Sequence, residues 1–307
     1  MKRLLLVLAF VFPVAGYAEP LPVFVSVLPM KTFVEEIGGE HVTVRALVGA
    51  GYSPATYEPT PRQLEALSRA RLYVRTGVAF EDAWMPRISG ANPDMRVLDA
   101  REGIDLRGME AHTHGDHSHG RHAHERSHDH RDHGDHEGHD HATRLPGDPH
   151  VWTSPRLVKR MSRRIRDVLV ELDPAHREAY HRRYDAYAAE LEALDADIRQ
   201  LLAGREGGRF MVYHPAWGYF ADAYGLVQVP IEHEGKEPGP RALTALIDQA
   251  QRENVRVIFV QQQFSERSAE RVAAAIDGRV VAIDPLAADY TANMRRVARL
   301  IADAIPQ

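Results

Sequence analysis

The feature that most constrains the fold is a long stretch near the middle of the chain that contains neither glycine nor proline. It follows Asp173-Pro174 and runs to about residue 203, just before Gly204. Its apolar positions recur every three or four residues, as on one face of a helix: Tyr184, Tyr187, Leu191, Leu194, Ile198 and Leu201. The spacing predicts a helix of about thirty residues, or roughly 45 Å, which is long enough to span a two-lobed molecule.

Short apolar runs alternate with amphipathic segments on both sides of this helix. The expected strands are 23–28, 42–48, 72–76, 97–98, 210–213, 227–231, 255–260 and 280–283, and the expected helices are 61–70, 154–172, 216–224, 240–253, 265–276 and 290–305. Parallel strands need crossover connections, which helices supply. The sequence therefore predicts an α/β fold with two α/β lobes, each with a parallel sheet. One long rigid linker helix joins them, and the strand ends face a cleft that is the place for a ligand.

The N-terminus has the pattern of a secretory signal. Lys2 and Arg3 precede an apolar stretch at 4–14, and Gly16 and Ala18 occupy the two positions that a signal peptidase reads. We expect a signal peptide at 1–18, a periplasmic N-terminal lobe at 19–172, the linker helix at 173–204 and a C-terminal lobe at 205–307. The chain has no cysteine, so a disulfide is excluded and a metal site must use nitrogen and oxygen ligands.

A histidine-rich insert, expected to be disordered, interrupts the first lobe at 111–144. Twelve of the chain's 18 histidines lie in it, interleaved with aspartates: His112, His114, His117, His119, His122, His124, His128, His130, His133, His136, His139 and His141. Such a segment cannot pack a core, but its imidazoles are good ligands for zinc, copper and nickel. A purification tag would be terminal and uniform, so a metal-binding insert is favoured over a tag or a solvated linker.

Composition limits the other partners. Hydrophobic residues make up 44% of the chain, enough for two real cores, and the net charge is −5 with histidine neutral. An acidic balance of this kind gives no electrostatic case for nucleic acid.

Three polar residues next to prolines are candidate metal ligands in the cleft. His150 stands in Asp148-Pro149-His150-Val151-Trp152, directly before a helix. His214 follows the predicted strand 210–213, and Asp284 follows the predicted strand 280–283. Polar residues at the carboxyl ends of apolar strands point into a cleft and not into a core, so two imidazoles and a carboxylate can converge there.

Several phrases of the chain resemble the zinc-binding components of bacterial ABC importers, the ZnuA-like substrate-binding proteins of cluster A-I. The phrases, in the family's order, are Tyr57-Glu58-Pro59-Thr60-Pro61, Asp148-Pro149-His150-Val151-Trp152, Tyr213-His214-Pro215-Ala216-Trp217-Gly218-Tyr219-Phe220, Glu234-Gly235-Lys236-Glu237-Pro238 and Asp284-Pro285-Leu286. The histidine-rich insert also stands in the family's place. The resemblance implies two α/β lobes joined by a rigid helix, and it implies that His150, His214 and Asp284 are three metal ligands.

The family's fourth ligand does not carry over. The family has a histidine in a phrase similar to Ser53-Pro54-Ala55-Thr56-Tyr57-Glu58-Pro59, and here Ala55 replaces it. Three protein ligands leave a coordination position for another donor. Water and a histidine of the insert are the favoured candidates for that position, and Glu58 and His233 are the alternatives.

The resemblance implies a periplasmic protein that binds zinc with high affinity and delivers it to an ABC permease in the inner membrane. The insert would act as an auxiliary metal collector, a periplasmic metallochaperone is a possible further partner, and a monomer is expected. Zinc is favoured over manganese because a nitrogen-rich site suits zinc and a carboxylate-rich site suits manganese. One alternative is a periplasmic zinc buffer or chaperone without an importer. Another, less favoured, is a metallohydrolase with an open two-histidine, one-aspartate site and Glu58 as base.

Overall fold

The computed structural model describes residues 19–108, 147–232, 236–264 and 266–305. The predicted signal peptide, His233 and the histidine-rich insert lie outside the described residues. Within those ranges, no helix is long and apolar enough to cross a bilayer.

The first lobe is built on a four-stranded parallel sheet. Its strands are β1 (Leu21–Val27), β2 (Val42–Val48), β3 (Leu72–Arg75) and β4 (Arg96–Asp99), in the spatial order β2-β1-β3-β4. The crossovers contain α1 (Leu28–Gly38), α2 (Pro61–Leu67) and α3 (Ala79–Ala91). β1 is almost wholly buried, as expected of a strand covered on both faces of a parallel sheet.

The second lobe repeats this plan. Its strands are β5 (Arg209–Val212), β6 (Val227–Pro230), β7 (Val257–Val260) and β8 (Arg279–Ala282), all parallel and ordered β6-β5-β7-β8. Its helices are α6 (Gly218–Tyr224), α7 (Pro240–Arg252), α8 (Glu266–Ala275) and α9 (Tyr290–Ala304), which follow the helices α4 (Pro155–Leu172) and α5 (Arg177–Leu202) in the chain. α6 ends at Gly225, whose φ of 68° is the left-handed conformation that glycine adopts without steric cost.

The long helix predicted from the sequence is α5, and it connects the two lobes. It has 26 residues, which corresponds to roughly 39 Å. Its buried face packs against α1 and α4 on one side and α9 on the other. The helix begins later than predicted, because residues 174–176 form a separate 3-10 turn in which the Asp173 carboxylate accepts hydrogen bonds from the Tyr180 hydroxyl and the His176 ring.

The predicted fold class, two α/β lobes with parallel sheets and one long helix, is confirmed. The lobe boundaries at 172/173 and 204/205 stay predictions. Two helices, α1 and α3, were not assigned from the sequence. α1 follows β1 without a break and Val27 gives it no side-chain cap, while α3 contains Pro86, which reads as a helix breaker. α2, by contrast, begins with a capping box, a pattern that can be recognised in a sequence. The Gln63 backbone nitrogen donates to the Thr60 hydroxyl oxygen, and the Thr60 backbone nitrogen donates to the Gln63 side chain.

Candidate metal centre

A cavity of about 210 Å³ lies between the two lobes, and we call it the cleft cavity. The first lobe contributes residues 53–55, 77–79 and His150 to its wall, and the second lobe contributes His214, Gln261 and Phe264. Several of these residues directly follow strands β3, β5 and β7. The cavity therefore occupies the carboxyl ends of both sheets, where parallel α/β sheets present their functional side chains.

His150 is held by the carboxylate two residues before it. Asp148 is 2% exposed, and its Oδ1 lies 2.9 Å from the His150 backbone nitrogen and 2.7 Å from His150 Nδ1. Trp152 lies against the imidazole with its ring centroid 5.3 Å away. The tautomer with its proton on Nδ1 donates to Asp148, and it leaves Nε2 with a lone pair on the side of the cavity.

His214 is held in the same way by a carboxylate from the neighbouring strand end. Glu232 follows β6, is 2% exposed, and places Oε1 2.6 Å from His214 Nδ1. The Gln261 side chain donates to the His214 carbonyl at 2.9 Å, and the Phe264 ring stacks on the imidazole with centroids 4.8 Å apart. Burial lowers the pKa of His214 below its ordinary value, and the hydrogen bond to Glu232 opposes this only in part. At neutral pH the ring is therefore uncharged, which is the form of imidazole that can bind a metal ion.

The two imidazoles face each other across the cavity. Nε2 of His150 and Nε2 of His214 are 3.4 Å apart, and the ring planes are inclined by 78°. With each Nδ1 proton directed to a carboxylate, both Nε2 atoms carry lone pairs. Two lone pairs at this distance repel each other unless a cation lies between them, so the arrangement is suited to a shared metal ion.

Asp284, the third predicted ligand, makes no contact with this pair. It follows β8 as predicted, and the next two residues, Pro285 and Leu286, line the cleft cavity. Its Oδ1 accepts from the Leu286 backbone nitrogen at 2.9 Å and from the Gln263 side chain at 3.4 Å. Among the described residues, no three histidine or carboxylate side chains lie close enough together to hold a metal ion. The structure thus brings together two of the three predicted ligands.

The first-lobe wall contains Ala55, the position at which the sequence resemblance implies a histidine. The position is therefore at the cavity but carries no donor. Glu58, proposed as an alternative ligand, is exposed and does not line the cavity. The acidic side chain that does line it from this lobe is Asp82, in the first turn of α3.

Sequence reasoning missed the two carboxylates that orient the rings. In the sequence, Asp148 stands out only as part of a phrase that resembles the family, and Glu232 belongs to none of these phrases. A usable signal existed for Glu232, since it follows an apolar strand just as His214 and Asp284 do. For Asp148, the signal was its position two residues before a candidate ligand.

Comparison with known proteins identifies the family of the chain. The family model described as ZnuA, zinc-uptake complex component A, periplasmic, matches residues 23–304. The chain belongs to this zinc-uptake family. The high-affinity zinc uptake system protein ZnuA of Bacillus subtilis (strain 168) is 31% identical over 272 residues, covering 87% of this chain and 79% of that protein. A crystal structure of ZnuA matches with a TM-score of 0.80 and 38% identity, covering 93% of this chain and 99% of the other.

The zinc-uptake family consists of periplasmic substrate-binding components of transport systems, not of enzymes. More distant relatives carry the name of another metal. The manganese-binding lipoprotein MntA of Halalkalibacterium halodurans is 26% identical over 249 residues, covering 79% of this chain and 71% of that protein. Membership of the family therefore establishes a metal-binding transport component, and the choice of metal depends on the site.

Proposed function

We propose that this chain is a periplasmic carrier that binds Zn²⁺ with high affinity in the cleft cavity and delivers it to an ABC permease. The observation that carries the proposal is the pair of Nε2 atoms 3.4 Å apart, each on a ring fixed by a buried carboxylate. Zinc–nitrogen bonds of about 2.0–2.1 Å at a tetrahedral angle place two ligand nitrogens about 3.3–3.4 Å apart. The pair is therefore already spaced for one tetrahedral zinc ion.

We assign the third protein ligand to Asp284, whose loop lines the same cavity. The fourth position belongs to water or to a histidine of the insert, because Ala55 has no donor and Glu58 lies outside the cavity wall. Two imidazoles and one carboxylate favour zinc over manganese, since manganese sites are richer in oxygen.

The histidine-rich insert is proposed as a weaker, multiple-site collector that feeds the cleft. Delivery to the permease and the periplasmic location of the free protein are part of the same proposal, supported by the family's description as the periplasmic component of a zinc-uptake complex. The secretory pattern at 1–18 supports the route.

The test is a competition titration with zinc and a chromophoric chelator on residues 19–307. We expect one tight site in the parent protein, its loss in His150→Ala, and a weaker site in Asp284→Ala. His181→Ala, on α5, is the matched control and should bind as the parent does. If His150→Ala leaves the tightest site unchanged, the cleft assignment is wrong.

A variant lacking residues 112–141 separates the two kinds of site. The proposal expects it to keep the tight cleft site if water completes the coordination and to lose the weaker sites. A large fall in cleft affinity in this variant would instead assign the fourth ligand to the insert.

A further inference from the structure

The two chain segments that lead into and out of the insert meet beside the metal centre, and we call this pair of segments the neck. The Asp148 backbone nitrogen donates to the Arg107 carbonyl at 2.8 Å. Gly147 lies so close to Leu106 that a Cβ at Gly147 would be 2.7 Å from the Leu106 Cβ. The neck is thus closed by direct backbone contact two residues before the ligand His150.

The hydroxyl group of Tyr219, on α6, forms hydrogen bonds with both segments of the neck. Its oxygen accepts from the Arg107 backbone nitrogen at 3.2 Å and donates to the Asp148 carbonyl at 2.8 Å. The side chain is 5% exposed, and burial raises its pKa to about 12. The hydroxyl is therefore protonated at neutral pH, and it can keep both roles.

The Arg107 side chain adds a second contact between the neck and the same helix. Its Nε lies 3.3 Å from Asp222 Oδ2, and its guanidinium lies over the Tyr219 ring at 5.8 Å. It also covers Gly218, where a Cβ would be 1.3 Å from Arg107 Nη1. α6 belongs to the second lobe and starts four residues after His214. The neck of the first lobe is therefore anchored on the element that follows the other ligand.

We propose that Tyr219 is a positioning residue for metal binding: by holding the neck against α6, it fixes Asp148, and through Asp148 the His150 ring, opposite His214. The contacts are continuous, because the Asp148 carbonyl accepts from the Tyr219 hydroxyl and the Asp148 carboxylate holds His150. The role is independent of what the insert binds. The inference rests on the proposed function of the cleft.

The experiment compares Tyr219→Phe with Tyr224→Phe. Both tyrosines are buried on α6, but the Tyr224 hydroxyl bonds to Asp195 at 3.1 Å on α5, away from the neck. Loss of a partner behind a metal ligand typically weakens metal binding by about 10–100-fold, and Tyr219 lies one contact further out. We therefore expect Tyr219→Phe to weaken zinc binding by roughly three- to tenfold, and Tyr224→Phe to change it by less than twofold.

Two further measurements separate positioning from general stability. The melting temperatures of the metal-free variants are measured first, and all titrations are done well below them, so that unfolding does not contribute. NMR spectra of the metal-free proteins should show displaced His150 ring resonances in Tyr219→Phe and unchanged ones in Tyr224→Phe. The weakening of zinc binding should also persist when residues 112–141 are deleted.

The outcomes are distinct from those that test the function. If His150→Ala abolishes the tight site while Tyr219→Phe binds zinc as the parent does, the positioning role is refuted and the proposed function stands. The role is also refuted if the effect of Tyr219→Phe disappears in the deletion variant. If His150→Ala leaves the tight site intact, the proposed function fails first.

Discussion

Replacing Glu232 with glutamine tests whether the carboxylates behind the imidazoles contribute to metal binding. Glu232 Oε1 lies 2.6 Å from His214 Nδ1, and among the described residues its Oε2 accepts no hydrogen bond. The substitution removes a buried negative charge but keeps an oxygen that can accept the Nδ1 proton. It therefore changes the basicity of the His214 ring more than its orientation.

The expected loss of zinc affinity follows from the range known for residues that hydrogen-bond to a metal-binding histidine. Their removal weakens metal binding about 10–100-fold, and glutamine retains the acceptor, so we expect about tenfold, or ~1.4 kcal/mol. Stability of the metal-free protein should not fall in parallel. Burial keeps His214 neutral, so glutamine leaves no buried charge uncompensated and removes the desolvation cost of the carboxylate. Zinc affinity and metal-free stability should therefore change separately.

The assay combines chelator competition at pH 7.5 with denaturant unfolding in the presence of EDTA. Glu253→Gln is the matched control, because Glu253 pairs with Arg209 at 2.9 Å at the opposite end of β5 from His214. It should leave zinc affinity unchanged. Zinc binding by Glu232→Gln within twofold of the parent would show that the carboxylate does not assist the ligand. A fall in metal-free stability as large as the loss in binding would show that it acts only on folding.

Three further substitutions test other parts of the reasoning. Ala55→His should place a third imidazole at the cavity wall and raise zinc affinity by about tenfold or more, with a larger gain for zinc than for manganese. Ala55→Leu in the same titration is the control. Equal zinc affinities of Ala55→His and Ala55→Leu would contradict the placement of residue 55 at the metal site. The second substitution is Glu81→Gln. Burial raises the pKa of Glu81 above 4.5, so in the pH range just above this value the folded protein holds a proton that the unfolded chain releases. The free energy of unfolding therefore falls as the pH rises through that range. Glu81→Gln should lack this pH-dependent fall when the unfolding free energies of the two proteins are compared between pH 4.5 and 7. The same pH dependence in both proteins would show that Glu81 does not cause it. Leu194→Ala, at a fully buried position of α5, should lower the free energy of unfolding by about 2–5 kcal/mol without changing zinc affinity at 25 °C, and an altered affinity would mean that α5 acts on the cleft directly.

The sequence was sufficient where a local pattern determines position. β5 ends at Val212, and the polar residue after it reaches the cleft because the carboxyl ends of parallel strands share one edge. His150 could be placed by the proline before it and the helix after it. α5 could be recognised because its apolar spacing continues without glycine or proline.

The hydrogen-bond partners of these residues could not be predicted from the sequence in the same way. The chain has 43 acidic residues, and which of them meets His214 depends on β6 pairing with β5, a contact between residues far apart in sequence. Tyr219 belongs to a phrase that resembles the family, yet its contact with the neck joins residues 112 positions apart. The first contact arises from strand pairing within the second lobe and the second from packing between the lobes, and periodicity and turn signals encode neither.

The spacing of the two imidazoles depends on how the two lobes are held against each other, and not on the residue at position 55. Each lobe supplies one ring with its own buried carboxylate, Asp148 for His150 and Glu232 for His214. Their separation is then set by whatever fixes one lobe against the other. α5 packs on helices of both lobes, and the Trp152 indole of the first lobe donates to the Pro285 carbonyl of the second at 2.8 Å. Because Ala55 takes no part in these contacts, the absence of a side-chain donor at this position leaves the pair of imidazoles undisturbed.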